Sequence, residues 1–140
     1  MLNFIHTLED LKSSFTGWGD ETIPGIPREE AGYSVVITCP EGELYEKQDS
    51  NPFATKRLIV GIHTWPAGKA HGSHHHPSWE QCYYIFAGQA EITVGDEKKT
   101  VGPGGSAYIP ARVEHDVVAV GDETMVAAVI SCVLDEDELD

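Results

Sequence analysis

The sequence predicts a single all-β domain closed as an antiparallel barrel, and three observations carry that prediction. Short runs alternate between apolar and polar residues, glycine and proline clusters separate them, and no internal repeat calls for a second barrel. Every strand of such a barrel must reverse direction at the rim, so turns at this spacing are required. Size agrees, because 140 residues that are 41% hydrophobic can close one core but not two.

The elements follow in chain order. Leu8, Leu11 and Phe15 recur at helical spacing behind Thr7, with Asp10 three positions on, which predicts a short capped helix over Thr7 to Phe15. The run G-W-G-D-E-T-I-P-G-I-P is broken by glycine and proline and reads as an extended arm. Tyr33 to Cys39 is the first strand, and residues 1–57 together are expected to pack on the barrel or on a partner subunit. After the polar link E-K-Q-D-S-N-P, Leu58 to Trp65 places Ile59, Gly61, His63 and Trp65 on one face. Gln81 to Phe86 puts Gln81, Tyr83 and Ile85 inward, and Gln89 to Val94 does the same for Ala90, Ile92 and Val94. Gly95-Asp96 marks a hairpin turn, and Gly102-Pro-Gly-Gly105 a tight loop before Ser106 to Ile109. Val113 to Val120 and Thr124 to Val133 complete the core over 58–133, leaving an acidic tail, L-D-E-D-E-L-D, that is expected to fray.

Chemistry concentrates between Gly68 and Gly88, in G-K-A-H-G-S-H-H-H-P-S-W-E-Q-C-Y-Y-I-F-A-G. Two imidazoles at i and i+2 reach one ion only from an extended chain, whose period of two sends His74 and His76 to the same side; a helix would need i and i+4. His115 interrupts an otherwise apolar inward row of Val113, Val117 and Ala119. A lone histidine there is more often a satisfied core residue, but several polar donors converging from different strands would each need a buried partner. A metal ion supplies one. His75 faces away from His74 and His76, His71 lies in the approach loop, and His63 is either a core residue or a neighbour of the site.

The two stretches resemble the paired cupin motifs G-x5-H-x-H-x3,4-E-x6-G and G-x5-P-x-G-x2-H-x3-N. Gly68, His74, His76, Gln81 and Gly88 fit the first, with glutamine where glutamate is usual; Gly104, Pro110 and His115 fit the second, with Arg112 for its glycine and Ala119 for its asparagine. The resemblance covers about half of the chain, Leu58 to Val133. It implies a double-stranded β-helix, or jelly-roll barrel, with one divalent ion (Mn, Fe, Ni, Co or Zn) inside one end on His74, His76, Gln81 and His115. Glu80 also fits the shorter spacing, but Gln81 preserves the six-residue step to Gly88. An all-neutral donor set leaves the ion its full charge, which favours an anionic or enolic substrate.

Three functions follow from that resemblance. The first is Lewis-acid chemistry of the isomerase or lyase type on a small carboxylate, hydroxy-ketone or enediol, with Tyr83 as candidate general acid or base. The second is an iron-dependent dioxygenase, and the third a non-catalytic small-molecule or sugar-binding domain. A homodimer is expected from the family likeness, and an apolar outer sheet face would support it.

Composition narrows the partners. Nine basic against 23 acidic residues give a net charge of −14, with no basic stripe for phosphates, so nucleic acid is not expected. No apolar run suits a bilayer and the start does not read as a secretion signal, so the expectation is a cytoplasmic protein without a membrane partner. Cys39, Cys82 and Cys132 form no C-x-x-C pair and read as small buried hydrophobes.

Overall fold

The computed structural model describes residues 17–18, 33–38, 55–70 and 72–139, the first two stretches by their backbone alone. The expected helix over Thr7 to Phe15, most of the arm after it, Cys39 and His71 lie outside the described residues, while Gly17 and Trp18 at the start of that arm pair with Val35 and Ser34 as a short strand. Within them the fold is all-β: β1 Gly17–Trp18, β2 Tyr33–Thr38, β3 Leu58–Trp65, β4 Trp79–Ala87, β5 Gln89–Val94, β6 Glu97–Val101, β7 Ser106–Ile109, β8 His115–Val120 and β9 Met125–Val133. They form a six-stranded sheet in the order β1-β2-β3-β9-β4-β7 and a three-stranded sheet in the order β6-β5-β8. Two isolated bridges, Ala70 to Val118 and His74 to His115, lay Ala70 and His74 beside β8.

Alternation set these strands, and the departures from it have local causes. β3, β5 and β7 begin and end where their apolar rows do. β8 starts at His115 rather than Val113 because the preceding residues close a turn, in which the Val113 amide donates to the Pro110 carbonyl. β9 starts after Thr124, whose carbonyl passes Gly88 so closely that a Cβ there would lie 2.6 Å from it. Gly88 also has φ 69°, so the glycine that closes the first motif is demanded twice over. β6, E-K-K-T-V, shows no apolar row and was not expected; it is held by the hairpin from β5 and by Lys98 on Glu91 across the strands.

The tail does not fray as expected. Glu136–Glu138 forms a 3₁₀ turn, with Arg57 bonded to both Asp135 and Glu138. The charge excess that reads as solvating in sequence meets a guanidinium brought from just before β3.

Inward rows from both sheets make the core, with Trp65, Ile85 and Met125 fully buried. Burying an aliphatic side chain of this kind contributes roughly 1.5–3 kcal/mol. Antiparallel order sets the start of β4 beside the end of β9, so Gln81 lies opposite Ser131, Tyr83 opposite Val129 and Ile85 opposite Ala127. The inward rows therefore grade from polar at one end of the barrel to hydrocarbon at the other.

Candidate metal centre

His74 and His115 face each other across a two-bond backbone bridge: the His74 amide donates to the His115 carbonyl at 3.0 Å, and the His115 amide donates back at 2.8 Å. The Arg112 amide donates to the His76 carbonyl at 2.8 Å and ties the second motif to the first. The three rings converge, with centroids 4.4 Å apart for His74 and His115, 4.9 Å for His74 and His76, and 5.1 Å for His76 and His115. One ligating atom from each lies within 4.8 Å of the others.

Backbone carbonyls determine which ring nitrogen is available. Nδ1 of His74 donates to the Gly72 carbonyl at 2.7 Å and Nδ1 of His115 to that of Val113 at 2.9 Å, which leaves the lone pair of each neutral ring on Nε2. His115 is only 1% exposed, and desolvation holds its pKa below the ordinary imidazole value, against the opposing pull of the Val113 carbonyl. Its Nε2 is buried without a hydrogen-bond partner.

Gln81 sits on the inward face of β4, where its Nε2 donates to Ser131 Oγ at 3.0 Å. That bond turns Oε1 the other way, and Oε1 too is buried without a partner. Leaving such an acceptor unmade costs about 1–3 kcal/mol, so each of the two calls for an electropositive group. Neutral imidazole nitrogens and an amide oxygen are donors that a divalent transition ion accepts, and the residues present fit one. Glu80 points to the opposite face of β4, where it accepts from the Tyr108 hydroxyl at 2.7 Å.

Tyr83 lies one step deeper than Gln81 and is buried. Its hydroxyl is 3.2 Å from Nε2 of His63, itself stacked on Trp65 at 4.5 Å. Burial, and then the Asp116 carboxylate, push the phenol well above its ordinary pKa, so Tyr83 rests protonated. Of the two roles expected for it, acid and base, this environment suits the acid. His75 is exposed and its Nδ1 meets Glu114 at 3.3 Å, on the far side from its neighbours. Ser73 first and His75 second hold the Glu114 carboxyl below its usual range.

Two residues escaped the sequence reading. Trp79 lays its ring 4.6 Å from that of His76 and walls the site. Ser131 orients Gln81, and a signal for it was present: it interrupts the inward row Met125, Ala127, Val129 just as His115 interrupts the valines of β8.

Known proteins resemble this chain in sequence and fold. The sequence profile of the family described as Cupin domain matches residues 61–131. An uncharacterised protein of Streptomyces coelicolor is 30% identical over 76 residues, which make up 54% of this chain and 71% of that protein. Dimethylsulfoniopropionate lyase DddQ of Ruegeria pomeroyi is 34% identical over 68 residues, 48% of this chain but 33% of the lyase. Among solved structures, KdgF from Halomonas sp. superposes with a TM-score of 0.56 at 19% identity, covering 81% of this chain and 91% of KdgF. A cupin of Methanocaldococcus jannaschii with a double-stranded β-helix fold gives a TM-score of 0.51 at 18% identity, over 56% of this chain and 72% of the other. At such identities the structures speak for the fold alone.

Proposed function

This chain belongs to the cupin family, and from that premise we propose that it is a metal-dependent enzyme of the lyase or isomerase type. His74, His76, His115 and Gln81 hold one divalent ion, and the substrate is a small oxygen-rich anion or enol. The observation that carries the reading is the convergence of three imidazoles, with two buried, unpartnered acceptors beside this geometry in support: His115 Nε2 within that group and Gln81 Oε1 on the inward face of β4. When bound, the ion supplies Lewis-acid polarisation of substrate oxygens. The protein's share is orientation and proton control. Gly72 and Val113 fix the tautomers of His74 and His115, Ser131 turns the Gln81 oxygen, and Trp79 excludes water beside His76. Tyr83 keeps its proton on the hydroxyl oxygen, within reach of His63, and serves as general acid toward an oxygen that gains charge. The likeness to a lyase, DddQ, supports this class over simple binding.

Protein purified without a nickel column, followed by elemental analysis, is expected to carry about one transition ion per chain. Small hydroxy acids and sugar acids should then turn over in manganese or zinc protein without dioxygen. Activity that needs iron and consumes oxygen would move the assignment to a dioxygenase, and substrate binding that outlasts removal of the ion would move it to a binding domain.

A further inference from the structure

We propose that the cleft between β6 and β7 is a second binding site, for a free α-amino acid with an aliphatic side chain. The inference goes beyond the metal reading, and neither depends on the other. Among the described strands β6 ends the smaller sheet and β7 the larger, and between them lies a cavity of about 340 Å³. That volume is at the small end of the range for small-molecule pockets, about 300–1,000 Å³. Ile92, Val94, Val101 and Ala107 line it, with Ser106 and Tyr108 on the β7 side. The metal donors His74, His76, Gln81 and His115 do not.

Register brings charge to this cleft. Cross-strand partners share a face of the sheet, and β6 sets Val101 beside Ala90, Lys99 beside Ile92 and Glu97 beside Val94. Ala90 and Ile92 are buried in the core, so Lys99 and Glu97 belong to the core-facing row, where aliphatic residues are the rule. Both line the cleft. Lys98, on the other face, pairs with Glu91 at 3.2 Å. Lys99 and Glu97 meet each other instead, Nζ to Oε1 at 3.0 Å, with side chains 73% and 70% exposed. An ion pair this exposed adds little to folding and opens at little cost.

Two opposite charges at the rim of a hydrocarbon-lined cavity select a ligand with the same three parts. Its carboxylate takes the Lys99 ammonium, its own ammonium takes the Glu97 carboxylate, and its side chain enters among Ile92, Val94, Val101 and Ala107. A simple anion in this place meets Glu97 as well as Lys99, and a simple amine meets Lys99 as well as Glu97. A zwitterion satisfies both. The net charge of −14 acts in the same direction, because it opposes the approach of an anion and leaves a neutral zwitterion unaffected.

Equilibrium dialysis of the full, metal-loaded chain against labelled L-leucine tests the proposal. Saturable binding of about one leucine per chain is expected below about 10 mM. Isocaproate lacks the ammonium and isoamylamine the carboxylate, and each should bind about tenfold more weakly or worse; glycine, without the side chain, should do the same. Lys99→Gln and Glu97→Gln should each weaken leucine about tenfold, with unchanged circular dichroism and undiminished metal content. Ala107→Leu fills the cleft and should exclude leucine while both charges remain; if it fails to fold, the two exposed variants still decide the matter. Absence of leucine binding in the wild type overturns the proposal, as does isocaproate or isoamylamine binding as tightly as leucine. So does affinity unchanged in both charge variants, which would place leucine elsewhere, or binding that vanishes when a chelator strips the ion, which would place it on the metal centre. A chain that takes up leucine but retains no metal would instead strike only at the metal reading.

Discussion

Among the described residues, two groups of three ligating side chains come within reach of one another, and they differ in almost everything else. His74, His76 and His115 converge at the polar end of the barrel, while Asp135, Asp137 and Glu138 cluster on the exposed tail. In the first group two Nδ1–H groups are committed to backbone carbonyls, and burial removes water from His115. In the second, Arg57 bonds Asp135 and Glu138, and solvent reaches all three carboxylates. Proximity of donors is therefore a weak sign of an ion site. The stronger sign is a lone pair that has lost water and found nothing in exchange.

The comparison can be broken most directly at its ligands. His76→Ala and His115→Ala should each weaken metal retention by about 100-fold or more, whereas His75→Ala and Asp137→Asn should leave it unchanged; competition with a chelator measures all four. Equal losses at His75 and His76 would remove the strand-parity argument. A smaller effect is expected at Ser131, where alanine frees the Gln81 amide to rotate. Affinity should fall about tenfold and the visible spectrum of cobalt-substituted protein should change, while a purely structural role would leave that spectrum alone.

Acidification sharpens the contrast further. Because the folded state holds His115 below the ordinary imidazole pKa, the unfolded chain takes up a proton first as pH falls. Its contribution to stability is complete above about pH 6.5 and declines as pH drops below that value, together with ion retention. Chemical denaturation of the metal-free protein across this range would show it. Glu138 titrates in the opposite setting: its carboxyl is lowered by the Asp135 backbone amide first and by Arg57 next, so what it adds is lost only in stronger acid.

Arg112 offers a gentler test. It stands where the second motif has glycine, and its φ of 66° is the one positive value among described residues other than glycine. Arg112→Gly should relieve this strain and stabilise the protein by up to about 1 kcal/mol in thermal unfolding, while its amide continues to hold His76. The smallest effect belongs to Arg57→Ala, which should loosen the tail turn, most visibly at low salt, without touching metal content.

Much of the site was legible in single strands. Period-two alternation put Gln81, Tyr83 and His115 on inward faces and Cys82, Tyr84 and His75 on outward ones, and the burial pattern follows those rows. β6 was not legible, because a strand held by a hairpin and by cross-strand charges needs no apolar row. The ordered tail was missed for a related reason: a run of carboxylates reads as solvated until a guanidinium from a distant segment is beside it.

What this sequence determined by itself is which side of each strand a residue occupies and which donors it offers there, since backbone chirality and the pleat make that a matter of counting. Which donors meet was decided by the tertiary structure alone. Only the register of β4 against β9 sets Ser131 opposite Gln81, only the bridge between residue 74 and β8 brings His74 to His115, and only close packing seals Tyr83 against His63. Those distances depend on how two sheets close over a shared core, and no local pattern contains them.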